Sequence, residues 1–440
     1  MTGTPPAALD ALVARVKANI GGTAPTAERP TPRSFSPAAK PSLRDYPEHA
    51  LLGQLHDLYG SGETRNPYFL ARNGHASGTL TIGEGEYVTF SNYNYLDLAT
   101  DPRVIDAACT ATEQYGTHAG AARMVGGEIE LHAELERALC DYTGFEAVTV
   151  GVSGYSTNVS VIGYLLDSRD LIVHDAYMHN SAVMGAVLSG ARRIAFPHND
   201  MDALERLLAE HRGHHRRAMI LVEGAYSMDG DLVDLPRAVE LRNRFDAWLV
   251  IDEAHSCGTV GATGRGVCEH FGVPTSAVDL MIGTLSKSFA SCGGFVAGRR
   301  DMMELIHHFC PGLLLYSTGI TPAATASALA AVRIAMDEPE RVARLQDNAR
   351  TLRTLVQDAG LDSCTAEPGV PIVPIMLRDE QASPLMSALL DQGVIAHAVM
   401  HPVVPRGAAR LRCFVTAGHD EAMMRRAVDG IATRLAAMQS

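Results

Sequence analysis

From about Gly78 onward, short apolar runs alternate with stretches of helical period: EAVTVGV, LIVHDA, RRIAFPH, AMILVEGAYS, AWLVIDEAH, DLMIGTLS and GGFVAG. Strands alternating with helices predict a mainly parallel sheet covered by helices, an α/β architecture. After about Asp337 a long helical stretch leads to VPIVPIML, GVIAHAVM and ARLRCFVTA, and a last helix runs from Asp420 to about Met438, the pattern of a smaller α+β domain. Upstream, Leu9, Leu12, Val13, Val16 and Ile20 recur at helical spacing, and Gly21-Gly22 ends that helix. The segment TAPTAERPTPRSFSPAAKP that follows has no apolar period and reads as a stiff linker. There is no internal repeat.

Composition narrows the partners. The 50 acidic residues outnumber the 37 basic ones, for a formal charge of -13, which disfavours nucleic acid and anionic membrane surfaces. No apolar run approaches ~18 residues, so no membrane span is expected. Eight cysteines occur without a Cys-x-x-Cys pair, and the N-terminus lacks a basic-then-apolar signal. These features predict a soluble, reduced, cytoplasmic protein whose partners are small molecules or other proteins. The run HRGHHRR reads as a solvated loop rather than a metal site, because no ligand spacing supports metal.

In an open parallel sheet the ligand site lies beyond the carboxyl ends of the strands. The run Trp248-Leu249-Val250-Ile251 ends in Asp252, a carboxylate at a buried strand end that needs a partner. Met281-Ile282-Gly283 leads into Thr284-Leu285-Ser286-Lys287, with Gly293-Gly294 close behind. Taken singly, Asp252 reads as a helix cap and Lys287 as a surface lysine. Together they supply what a carbanion-stabilising cofactor needs: an amine to hold its aldehyde and an acid to keep its pyridine nitrogen protonated. Ser153-Gly154-Tyr155-Ser156-Thr157-Asn158 follows a strand and opens a helix, where backbone N–H groups can meet a phosphate, although Gly and Ser also serve the turn itself. His179 follows LIVHDA and is one of 18 histidines, so by itself it reads as structural.

These segments resemble the α-oxoamine synthases, fold-type-I pyridoxal-phosphate enzymes, from about Tyr87 to the C-terminus. The markers are FSNYNYLDL, YGTHAGAARMVGGEIELHAELE, SGYSTN, AYMHNS, LVEGAYSMDGD, IDEAHSCGTVGATGRG, GTLSKSFASCGG, YSTGITP and ARLRCFVTAGH. Within the family, several of them look most like serine palmitoyltransferase and synthases serving polyketide or lipid assembly. The resemblance implies a large domain with a seven-stranded, mainly parallel sheet and a decarboxylative condensation of glycine, alanine or serine with an acyl thioester. It implies Lys287 as the Schiff-base lysine, Asp252 as the pyridine-nitrogen partner and His179 as the histidine stacked on the cofactor ring. Gly154 and Tyr155 match the cofactor-binding turn, Ser227 and His255 match residues near the phenolic oxygen, and Thr284 matches a phosphate contact. Ser317 and Thr318 match a pair that reaches the partner subunit's phosphate, which implies a homodimer with shared active sites. Arg412 matches the arginine that binds the substrate carboxylate, with Arg410 as its structural neighbour.

Two departures bear on specificity. The chain reads Met400-His401-Pro402-Val403 where the biotin-pathway synthases carry a substrate-contacting Thr. Ala122 precedes Arg123 where the aminolevulinate enzymes carry Thr, which implies a roomier amino-acid pocket. The expected organisation is residues 1–41 as helix and linker, 42–86 joining the small domain, 87–336 as the cofactor-binding domain and 337–440 as the small domain. The helix on its Pro-rich tether adds an acyl carrier protein to the candidate donors beside coenzyme A. The competing readings are an aminotransferase on the same fold and a non-catalytic partner subunit.

Overall fold

A computed structural model of the protein describes residues 42–60, 65–401 and 403–438. The helix expected over residues 6–20, the linker up to Pro41, and Pro402 lie outside the described residues. The chain divides into two units at Thr64 and Arg65. In the first, a short turn at Leu43–Asp45 leads into a helix over Pro47–Gly60.

The second unit opens with an antiparallel hairpin of β1 (Thr79–Ile82) and β2 (Gly85–Thr89). Seven strands then build the main sheet: β3 (Ala147–Gly151), β4 (Leu171–Asp175), β5 (Arg192–Phe196), β6 (Ala218–Glu223), β7 (Trp248–Asp252), β8 (Leu280–Thr284) and β9 (Gly294–Gly298). Their order is β3-β9-β8-β7-β6-β4-β5, and only β9 runs antiparallel, against both of its neighbours. All seven apolar runs are therefore strands of one sheet. Their period of two separates two apolar layers: Ile220, Val222, Leu249 and Ile251 face one core, whereas Met219, Leu221 and Val250 face the other. With both faces covered, a polar side chain on these strands finds an opening only at a strand end.

Near the C-terminus, β10 (Ile372–Met376), β13 (Arg410–Phe414) and β12 (His397–Val399) form an antiparallel sheet in that order. The apolar run GVIAHAVM forms two strands. Its first half, β11 (Val394–Ile395), pairs in parallel with β2, and its second half, β12, pairs with β13. The split follows from partner choice, which the apolar pattern does not encode. The last helix, Glu421–Ala437, is capped by the Asp420 carboxylate, which accepts from Met423 N–H at 2.8 Å.

HRGHHRR is a surface turn with no buried residue, and its arginines are docked rather than free. Arg212 donates to the Phe245 carbonyl at 2.8 Å, Arg216 pairs with Asp170 at 2.7 Å, and Arg217 lies over the Trp248 ring at 5.5 Å. Planar guanidinium groups dock on carbonyls, carboxylates and rings while their stems cover apolar surface.

Candidate active site

The carboxyl ends of β6, β7 and β8 and the helix after β3 surround one cavity of about 430 Å³. Gly154, Tyr155, His179, Ser227, Asp252, His255, Thr284, Lys287 and Arg412 all line it. Ser317 and Thr318 do not. Thr318 instead forms a backbone bridge with Ala122, which is also absent from the lining. Arg123 is buried against Glu128 and Glu136 and donates to the Val150 carbonyl, so it is held in the protein body.

Asp252 ends β7 and is 5% exposed. One oxygen accepts from Ala254 N–H at 3.0 Å and the other from Asn158 Nδ2 at 2.8 Å. Asn158 stands one turn into the helix Gly154–Leu165, so the same helix start offers N–H groups to an anion and orients the aspartate. The second Asn158 N–H reaches Ser181 Oγ at 3.0 Å, and Ser181 Oγ is 2.7 Å from His179 Nδ1. With Ser181 accepting from the amide, its hydroxyl donates to Nδ1, which leaves the proton of a neutral His179 on Nε2. Burial, opposed by Asp252, lowers the His179 pKa and agrees with that neutral ring.

A second relay holds the lysine. Lys287 Nζ lies 2.8 Å from His255 Nε2, and His255 Nδ1 lies 2.7 Å from Tyr95 Oη. Burial, reinforced by Lys287 and Arg412, pushes the His255 pKa well below its ordinary value, so its ring is neutral. Burial also pulls the Lys287 ammonium down to about 8 against the opposing pull of Asp252 and Glu223. An amine poised there exchanges its proton near neutral pH, as a nucleophile or base must.

Asn158 and Glu223 also line the cavity, and Tyr95 stands behind His255. Asn158 lay inside a noted motif, but nothing local marks it as the aspartate's partner. Tyr95 meets His255 only through the fold. Glu223 did carry a signal, since it ends the apolar run of β6 as Asp252 ends β7, and the two pair across the strands. Burial and the neighbouring Asp252 raise the Glu223 pKa, so this second carboxyl is held in its neutral form.

The arrangement suits pyridoxal phosphate. Asp252 is fixed by two donors, Lys287 presents an amine, and Gly154 lets the helix start approach β8, where a Cβ would sit 3.1 Å from Thr284 Cβ. Glu223 Oε1 and Arg412 Nε are buried without hydrogen-bond partners, leaving polar valences for a bound group.

Comparison with known proteins agrees. The profile of aminotransferase class I and II matches residues 86–431. The 8-amino-7-oxononanoate synthase of Geobacter sulfurreducens is 40% identical over 388 residues, covering 87% of this chain and 97% of its own. That of Alkaliphilus metalliredigens is 40% identical over 352 residues, covering 80% and 88%. Among solved structures, serine palmitoyltransferase with its pyridoxal-phosphate internal aldimine superposes with a TM-score of 0.84 at 30% identity, covering 89% of this chain and 98% of its own. Serine palmitoyltransferase of Sphingomonas wittichii gives 0.84 at 28%, covering 89% and 97%. The chain belongs to the α-oxoamine synthases, as a pyridoxal-phosphate-dependent acyltransferase that condenses an amino acid with an acyl thioester with loss of CO2.

Proposed function

We propose that this enzyme joins glycine, alanine or serine to an acyl group carried on coenzyme A or an acyl carrier protein, releasing CO2 and free thiol and giving an α-aminoketone. The observation that carries the reading is the convergence of Lys287, Asp252, His179 and Arg412 on one cavity. Pyridoxal phosphate, when bound, supplies an aldehyde for the amino group and a ring that takes up the negative charge developed at Cα.

The chain's own residues do the rest. Lys287 would hold the aldehyde through its amine and, as the free amine of the cavity, would take the Cα proton. Asp252, oriented by its two N–H donors, would face the pyridine nitrogen and hold its proton. His179 offers a neutral ring whose orientation is set by Ser181, and Arg412 receives the substrate carboxylate. Cα would then bond to the acyl carbon as the carbon–sulfur bond breaks and the thiolate takes a proton; the Cα–carboxyl bond would break next to release CO2, and the proton held by Lys287 would return to Cα. We place the second phosphate contact, from Ser317 and Thr318, in the partner subunit of a homodimer, and read residues 337–440 as the small domain. We read the segment 1–41 as helping to dock a carrier-bound donor, with packing on the dimer as the alternative.

Mass spectrometry of products from a grid of amino acids and acyl thioesters tests the reading. Thioester-dependent CO2 release with an α-aminoketone product supports it, whereas amino transfer to a keto acid supports an aminotransferase. An inert chain that regains activity only with a homologous subunit supports a scaffold role.

A further inference from the structure

Arg410 and Arg412 stand two residues apart on β13 and so leave the same face of the strand. Both reach the segment Ser227–Asp231 that follows β6. Arg412 Nη1 donates to the Ser227 carbonyl at 3.0 Å, and Arg410 forms an ion pair with Asp229. Arg410 and Asp229 are 2% and 4% exposed, and neither lines the cavity. Desolvation takes back most of what such a buried pair gains, so it is better suited to fixing geometry than to adding stability.

The rest of the segment is held as firmly. Tyr226 N–H donates to the Asp231 carbonyl and Gly230 N–H to the Tyr226 carbonyl, each at 2.9 Å. Asp231 accepts from Asn199 Nδ2 at 3.0 Å and faces His198 Nε2 at 3.1 Å. Gly230 adopts φ +71°, and a Cβ there would run into the Ile372 carbonyl, so the segment packs on β10 at an approach that only glycine permits. On the cavity side, Ser227 N–H donates to Glu223 Oε2 at 3.1 Å. His198, Asp229 and Asp231 bring possible metal-ligand atoms within 4.8 Å of one another. Asp229 is already paired with Arg410, and both His198 ring nitrogens face carboxylates, so the cluster acts as a clamp and not as a cation site.

We propose that Arg410 and Asp229 are a positioning pair for the amino-acid site, locking Ser227–Asp231 so that the Ser227 carbonyl occupies Nη1 of Arg412 and leaves its Nε–Nη2 edge for the substrate. That edge is the planar fork a carboxylate engages with two parallel hydrogen bonds. Arg412 Nε has no hydrogen-bond partner. The inference rests on the assignment of Arg412 to the substrate carboxylate.

The test uses the holoenzyme and a double-mutant cycle. Asp229→Asn/Arg410→Gln removes both buried charges and keeps two amides that can hydrogen-bond. The expected result is an amino-acid KM raised about tenfold, with kcat, the acyl-thioester KM and cofactor absorbance within about twofold of wild type. In an Arg412→Ala background the same two changes add no further rise. Arg410→Lys keeps the charge balance should the neutral pair fold poorly, and it is expected to raise the same KM by a smaller factor. An unchanged amino-acid KM in a folded variant, or a rise of equal size with and without Arg412, overturns the positioning role. If Arg412→Ala itself leaves the amino-acid KM unchanged, the carboxylate assignment fails instead.

Discussion

Lys287 and Asp252 owe their chemistry to the ends of apolar strands, where a charged group is desolvated yet still opens on a cavity. The expected consequence for Lys287→Ala is loss of the visible absorbance of the lysine-linked cofactor and of any borohydride-fixed label, measured by spectroscopy and peptide mapping. A label retained on another lysine would reassign the role. His198 shows the opposite electrostatics. Burial works against its charge, but the hydrogen bonds it donates to Asp175 at 3.0 Å and Asp231 at 3.1 Å outweigh it and lift its pKa to about 9. Tyr177 stacks on its ring and Tyr226 meets it edge-on. A raised folded-state pKa contributes stability that is fully present below the unfolded value of about 6.5 and is lost as pH rises through about 9. The contribution is on the order of 3 kcal/mol. Thermal melts of wild type and His198→Gln are therefore expected to differ most at pH 6 and to converge above pH 9.5; parallel curves across that range would remove the charge from the account.

At the scale of elements, the helix Gly154–Leu165 carries three tasks on one turn. Ser153 caps it by accepting from Ser156 N–H at 3.0 Å, Gly154 allows close approach to β8, and Asn158 orients Asp252. Gly154→Ala places its methyl 3.1 Å from Thr284 Cβ and 3.2 Å from Thr284 Oγ1. The helix start must then move away from the strand. The expected outcome is cofactor affinity weakened about tenfold with little change in melting temperature of the apoprotein, measured by cofactor titration. Thr284→Gly/Gly154→Ala, in which the opposing Cβ and Oγ1 are gone, is expected to lose less affinity relative to Thr284→Gly than Gly154→Ala loses relative to wild type. Equal losses in the two backgrounds would place the defect elsewhere.

For the whole molecule, the cavity of one chain lacks Ser317 and Thr318, and both residues lie on the segment after the short helix Pro311–Leu314. Under the shared-site proposal, hybrid dimers of Lys287→Ala with Ser317→Ala/Thr318→Ala subunits carry one site with both defects and one with neither, so near half of wild-type turnover per dimer is expected. Full loss of activity in the hybrid would show that the pair serves its own chain. Deletion of residues 1–41 is expected to slow turnover of carrier-bound donors while sparing coenzyme A donors, read from parallel steady-state assays; equal loss with both makes the segment structural.

The sequence by itself determined the seven strands of the main sheet and the positions just beyond their ends, because apolar period and helix-breaking residues are local properties. It also carried the motifs that mark the family, with Lys287, Asp252, His179 and Arg412 among them. Tertiary structure decided what those residues touch. Asn158 meets Asp252 across 94 positions and Arg412 meets Ser227 across 185, distances over which no local pattern operates. The same holds for β11 and β12, one apolar run divided between two sheets, and for Arg410, a neighbour of the binding arginine in sequence that becomes, through Asp229, a support for the segment facing it. Local chemistry selects which side chains stand at strand ends; only the packed chain settles which of them are paired, which are left with open valences, and therefore where a substrate can bind.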